Sequence, residues 1–95
     1  MIAIARFRVP NAQAGEFRAQ VERALAAVSE RDGFVSGDFG QNLDESDLWT
    51  LVTHWVNVGS YRRALSSTVI KMEVVPLLAT AIDEPGAYDH STFEP

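Results

Sequence analysis

There is no cysteine in this chain. That absence excludes disulfides, thiolate metal sites and cysteine nucleophiles. Histidine is nearly as scarce: His54 and His90 stand far apart in sequence, which gives a metal centre little to start from. Lysine occurs once, as Lys71, and among the arginines only Arg62 and Arg63 are adjacent. The acidic residues outnumber them to leave a formal net charge of −5. Binding to nucleic acid needs clustered cations that displace counterions from phosphates, so no nucleic-acid partner is expected. Long apolar runs are missing too. The opening stretch Met1 to Arg6 is too short for the central region of a signal peptide, and nothing later approaches the length that spans a bilayer. A cytoplasmic protein without a membrane partner is the expectation.

What is present has the composition of one soluble domain over residues 1–95, with 46% hydrophobic and 22% charged residues. A chain of this length buries only about two-thirds of its unfolded surface. Its own core is modest, and a homodimer that covers more apolar area is expected.

Ile2 to Val9 alternates as a strand does, with Ile2, Ile4, Arg6 and Arg8 on one face and Ala3, Ala5, Phe7 and Val9 on the other. Pro10 ends it. Asn11 has the side chain of a helix N-cap, and the helix it opens is expected to reach about Asp32. Phe17, Val21, Leu25 and Val28, with Ala14 and Ala24, recur at spacings of three and four and form one apolar stripe. Gly33 supplies a left-handed residue after the last turn. Phe34 to Leu43 reads as a second strand, in which Gly37 and Gly40 mark a bulge or a close approach. Asp44 to Asp47 is the polar turn of a hairpin, and Leu48 to Val56 is a third strand, apolar on both faces. A short helix follows from Asn57 or Gly59 to Ser66. Another, capped by Ser67 or Thr68, covers Val69 to Val75 before Pro76 interrupts it. Leu77, Leu78 and Ile82 continue as a last turn or two, and Ala87 to Phe93 is a candidate final strand. The order strand, helix, strand, strand, helix, strand predicts an α+β fold of the ferredoxin-like, split βαβ kind. Its four-stranded antiparallel sheet would carry helices on one face. The other face would leave Ile2, Ile4, Val52 and Val56 wet unless a second sheet covers them.

The segment from Leu48 to Ser67 holds both tryptophans, Tyr61 and His54, and it carries most of the chemistry on offer. Alternation puts Trp49, Leu51, Thr53 and Trp55 on one face and Thr50, Val52, His54 and Val56 on the other. Trp49 and Trp55 are either core or stacking surfaces for a flat ligand, core being the commoner role of buried strand aromatics. Tyr61 either orients a ligand oxygen or bonds to backbone. Imidazole, with its ordinary pKa of about 6.5, makes His54 the obvious general base by chemistry. Its face of the strand is nevertheless opposite that of Trp55, which makes it an interface residue instead. His90 cannot be placed by pattern. Arg62 and Arg63 read as a solvated helix face. Asp83, Glu84 and Asp89 read as turn and surface acids, without the spacing of a metal site or a paired acid and base. Ser29, Ser66 and Ser91 lack the glycine elbow of a serine nucleophile.

The aromatic strand ending in Trp55, the polar break, the run Ser60-Tyr61-Arg62-Arg63-Ala64-Leu65, the broken helix from Lys71 to Leu78 and Gly33-Phe34 after the long first helix together resemble the antibiotic biosynthesis monooxygenase family. The likeness covers roughly residues 1–90. It implies a dimeric α+β barrel in which two sheets face each other, with a pocket in each subunit between sheet and helices. Some members of that family oxygenate phenolic or quinol-type polyketides without metal or flavin, the deprotonated substrate itself reducing oxygen. In the anthrone-oxidising members a pocket tryptophan and a helix-start tyrosine occur at the spacing of Trp55 and Tyr61. Those members also place an asparagine where this chain has Leu51. Haem-degrading members carry an asparagine, a tryptophan and a histidine ligand where Phe7, Ala64 and about Val74 stand here, so that route is not expected.

The resemblance therefore implies a cofactor-independent oxygenase acting on an aromatic polyketide, anthrone or quinol, with oxygen as co-substrate. Trp55 and Tyr61 would be its catalytic pair, and Phe7, Trp49, Leu51 and Thr53 the rest of its substrate-binding face. The alternative is a small-molecule-binding or accessory dimer of the same fold without turnover, which accommodates Leu51 more easily. A purely structural dimerisation domain would require the pocket to be filled by its own side chains.

Overall fold

Four strands and four helices account for the regular structure of a computed structural model that describes all residues from Met1 to Pro95. In chain order these are β1 (Ile2–Arg8), α1 (Ala14–Ser29), β2 (Phe34–Gln41), β3 (Leu48–Trp55), α2 (Val58–Ser66), α3 (Thr68–Glu73), α4 (Val75–Leu78) and β4 (Ala87–Tyr88). The strands form one sheet in the order β2-β3-β1-β4, every pair antiparallel. This is the ferredoxin-like α+β arrangement that the element order predicts. None of the helices is long and apolar enough to cross a membrane.

Pairing of β1 with β3 sets the interior. Phe7 lies opposite Trp49 at one end and Ala3 opposite Thr53 towards the other. At the first end α1 lowers Phe17 between the two large rings, with centroid distances of 5.1 Å to Phe7 and 5.4 Å to Trp49. These rings, with Val21, Ala24 and Val28 of the same helix, belong to one buried core that continues through Leu51 and Trp55 to Ala64, Ile70, Val74 and Leu77. Towards the second end one row across the sheet carries only small residues: Gly37 of β2 pairs with Thr53, and Ala87 of β4 pairs with Ala3. Side chains cannot fill the space above that row, and this is where the site described below lies.

Several local expectations need correction. Asn11 does not cap α1 with its side chain; residues Asn11–Gln13 form a 3-10 turn in which the Gln13 amide already bonds the Pro10 carbonyl at 2.8 Å. The helix closes at Ser29 rather than Asp32, and a turn leads to Gly33, the one residue at positive φ (86°). The bulge of β2 falls between Phe34 and Ser36, not at a glycine. Asn42, placed by pattern inside the strand, instead organises the hairpin: its Oδ1 accepts from the Asp44 and Glu45 amides, both at 2.8 Å. The last strand ends at Tyr88, and Phe93 is exposed.

The broken helices follow their caps. Asn57 accepts from the Ser60 amide at 2.8 Å to open α2, and Ser67 accepts from the Ile70 amide at 3.3 Å to open α3. Pro76 sits in the first turn of α4, where a missing N–H costs nothing. Ile82 does not extend that helix. Its amide donates to the Arg6 carbonyl at 2.8 Å, and the Ile4 amide donates to the Gly86 carbonyl at 2.7 Å, so residues 82–86 form a strap along the edge of β1. A Cβ on Gly86 would overlap the Ile4 carbonyl oxygen, which is why glycine stands there.

Arg6 grips the strap through two bonds to Glu84, at 2.6 and 2.7 Å. The hydrogen bond to Arg6 holds the Glu84 carboxyl below the ordinary glutamate range. A depressed folded-state value means that this anchorage is present above the unfolded pKa and is lost as the pH falls through the folded one. The protection factor of the Ile82 amide is therefore expected to fall once the pH drops below the ordinary glutamate range, and Glu84→Gln should produce the same loosening at neutral pH.

Candidate functional site

A cavity of about 260 Å3 lies between the sheet and the helices, over the row of small residues. Its floor is Ala3, Ala5, Leu51, Thr53 and Trp55, and its roof includes Leu25 of α1, Tyr61 and Leu65 of α2, and Leu78 of α4. Apart from the Thr53 hydroxyl, the Trp55 indole nitrogen and the Tyr61 phenol, the lining side chains are hydrocarbon. A shallower depression shares Ile4, Ala5, Tyr61 and Leu78 with it and runs on to Asp83 and Glu84 in the strap.

The aromatic wall is held from two sides. The edge of Phe34 meets the Trp55 ring at 5.4 Å and 88°, and Tyr61 meets it at 5.6 Å and 61°. These geometries suit the quadrupoles of the rings. The Trp55 indole N–H is not free: it donates to the Thr53 hydroxyl oxygen at 2.9 Å, two residues back along β3. Tyr61 is half-buried, and that burial raises its phenol above the ordinary tyrosine value. Its O–H consequently stays protonated through neutral pH. In an ultraviolet titration the absorbance step that Tyr61→Phe removes is expected to lie above the ordinary tyrosine range.

Of the residues singled out by sequence, Leu51, Thr53, Trp55 and Tyr61 meet at this cavity. Phe7 and Trp49 do not. Strand parity put them on the correct face, but their register carries them to the other end of the sheet, where Phe17 packs against both. Trp49 is 2% exposed, its indole nitrogen has no hydrogen-bond partner, and the Arg18 guanidinium lies 5.2 Å from its ring centroid. It is a core residue. His54 faces away from the cavity, on the opposite side of the sheet, 3.3 Å from the Ser36 hydroxyl and 6.3 Å from the His90 ring. Phe7, Ala64 and Val74 are buried apolar residues. No group of three or more His, Asp or Glu side chains is gathered as a metal would require.

Pattern reading missed Leu25 as a cavity wall and Gly37 as the residue that makes room for it. A Cβ at Gly37 would come within 2.6 Å of the Leu25 Cδ2 atom, 3.2 Å of the Phe34 ring and 3.5 Å of the Thr53 methyl. The Leu25 end is flexible and moves cheaply, and the Phe34 ring, packed on Trp55, has only to give by a few tenths of an ångström. Gly37→Ala is expected to leave thermal stability nearly unchanged while pushing Leu25 into the cavity, and equilibrium dialysis with a flat aromatic should record at least about a tenfold loss of affinity, equivalent to ~1.4 kcal/mol.

The sequence model of the antibiotic biosynthesis monooxygenase family matches residues 1–72. This chain belongs to that family. Among solved structures of the fold, SnoaB from Streptomyces nogalater, a cofactor-independent oxygenase, superposes with a TM-score of 0.79 at 23% identity, over 99% of this chain and 96% of that one. An asparagine-to-alanine variant of SnoaB gives 0.80 at 22% identity, with the same coverage. A conserved protein from Methanosarcina mazei Go1 gives 0.72 at 20% identity, over 90% of this chain and 84% of that one. At these identities the antibiotic biosynthesis monooxygenase fold is what is shared. No protein of curated function matches the sequence.

Proposed function

We propose that this protein is a cofactor-independent monooxygenase for a flat, electron-rich aromatic of the anthrone or quinol type, with molecular oxygen as co-substrate. The observation that carries the reading is the cavity: hydrocarbon walls surround the hydroxyls of Thr53 and Tyr61 beside the face of Trp55. Such a chamber suits an aromatic ring and oxygen together, and it keeps water from the reacting carbon. Membership of the family and the shape shared with SnoaB support it. For an anthrone the reaction balances without a cofactor. The methylene carbon loses two hydrogens and gains one oxygen atom as a carbonyl, while the second oxygen atom leaves as water.

In this reading the ionised substrate supplies the electrons, and the protein stabilises negative charge on the substrate oxygen. Tyr61 is the catalytic donor to that oxygen, held in its protonated form by burial. Trp55 forms the stacking wall, and Leu51 offers an apolar contact where the anthrone-oxidising members have asparagine. No carboxylate or imidazole lines the cavity. At its border Glu84 is engaged by Arg6, and Asp83 is the acid left to take a proton at the mouth.

The working unit of this proposal is a homodimer. Val56 is 67% exposed and Val35 59% exposed on the outer side of the sheet, near the half-buried Ile2, Ile4 and Val52, and a second sheet would cover them. Light scattering is expected to give twice the monomer mass, reduced to the monomer by Val52→Arg.

The absence of a base among the lining residues, together with Leu51, favours the alternative of a small-molecule-binding or accessory dimer without turnover. Oxygen uptake with a panel of anthrones and quinols separates the two. Uptake that depends on Tyr61 supports the oxygenase, whereas binding with no uptake for any member of the panel would leave the binding protein.

A further inference from the structure

The indole of Trp55 has a single N–H, and Thr53 accepts it at 2.9 Å. The tryptophan therefore has no donor left for a ligand. Thr53 has one. Its hydroxyl oxygen accepts from Trp55, its own proton finds no acceptor in the protein, and the side chain is 8% exposed and lines the cavity. The methyl group of Thr53 is turned to the side of Gly37 and its hydroxyl to Trp55, so the β-branched side chain holds one stiff orientation on the cavity wall. Tyr61 likewise makes no hydrogen bond through its hydroxyl to any protein group, and it enters the same cavity from the opposite wall. What the cavity leaves unpaired is thus a pair of O–H donors in hydrocarbon surroundings. The Tyr61 hydroxyl is still reached by solvent, and a ligand atom that only accepts replaces that water with hydrogen bonds made in a low-dielectric chamber.

We propose that Thr53 is the ligand-contacting, specificity-determining residue of the sheet wall, that Trp55 is the positioning residue which orients it, and that together with Tyr61 they select flat aromatics bearing a carbonyl or ionised phenol oxygen over equally shaped hydrocarbons. The proposal rests on the cavity reading given above and names its ligand class. A volume of about 260 Å3 is below the usual range for drug-sized ligands and suits two or three fused rings. The arrangement is also directional. As negative charge grows on the ligand oxygen the hydrogen bond that Thr53 donates to it strengthens, and the Trp55 N–H behind it polarises in the same sense. Trp55 then contributes to charge stabilisation without touching the oxygen.

The test is equilibrium dialysis of fluorene and 9-fluorenone, rigid tricycles that differ only in a carbonyl oxygen replacing two hydrogens and that neither ionise nor consume oxygen. The wild-type protein is expected to prefer fluorenone by about tenfold. Thr53→Val should bind fluorene as before and lose the preference, Thr53→Ser should keep it, and Trp55→Phe should reduce it severalfold while still binding both. Thr53→Ala serves as a second hydroxyl-free variant should the valine protein not fold. Equal binding of the two tricycles by the wild type, or a preference that survives in a folded Thr53→Val or Thr53→Ala protein, overturns the proposal and leaves the cavity reading standing. Binding of neither tricycle overturns both.

Discussion

Trp49→Ala is expected to destabilise the protein by about 3–5 kcal/mol, the range seen when a large buried aromatic is truncated. Urea unfolding followed by far-ultraviolet circular dichroism would measure it. The reason is local. Phe17 packs at 5.4 Å from the Trp49 ring and at 5.1 Å from Phe7, so removal of the indole leaves a void against two rings held by different elements. Phe17 is anchored in α1 and Phe7 in β1, and neither can move into the gap without leaving other neighbours. Domains of this size are stable by only about 5–15 kcal/mol, so the variant should be partly unfolded at modest urea. The effect is somewhat reduced because the Trp49 indole nitrogen is buried without a partner. For the same reason Trp49→Phe, which removes that nitrogen and keeps a ring, should cost far less than the alanine variant.

Gly33→Val is the second large effect. Gly33 has φ of 86°, a region that a β-branched residue enters only under strain, and a Cβ there would overlap the Ser60 side chain. Backbone strain of about 1–2 kcal/mol adds to overpacking of about 1–3 kcal/mol. The site of the damage matters as much as its size. The Gly33 carbonyl accepts from the Val56 amide at 2.8 Å, and Ser60 is a buried residue in the first turn of α2, one position before Tyr61. The substitution therefore disturbs the turn after α1 and the roof of the cavity together. Ser60→Gly in the same chain removes the overlap but not the φ strain. The double variant should recover part of the lost stability in a urea titration, and full additivity of the two changes would show that Ser60 is not the obstacle.

Parity along β3 was legible, and it carried the most useful result: Trp55 on the cavity side and His54 on the outer side follow from counting residues. Position along the strand was not legible in that way. Phe7, Trp49 and Trp55 share a face by alternation, yet only register and the placement of Phe17 decide which of them meet a cavity and which meet a helix. A signal did exist in the small residues. Gly37, Thr53, Ala3 and Ala87 form one row across the sheet, and an opening lies where such a row coincides on neighbouring strands. Reading it requires the pairing, which separate strands do not state. Asn42 as the organiser of the hairpin, and the bond from Trp55 to Thr53, depend on side-chain torsions that no periodicity encodes. Cap chemistry was legible only to within a residue or two: Asn57 and Ser67 cap where the sequence allowed Asn57 or Gly59 and Ser67 or Thr68, whereas Asn11 is drawn into a 3-10 turn and caps nothing.

In the proposed function ligands enter the cavity at Trp55 and leave the core at Trp49 untouched. The chain has two tryptophans, so isotope labelling of the indole N–H groups gives two resonances that point mutants assign. On titration with an anthrone under anaerobic conditions the Trp55 resonance is predicted to shift in proportion to occupancy while that of Trp49 stays in place. A shift of Trp49 alone, or no shift of Trp55 at concentrations where dialysis shows the anthrone bound, would contradict the account.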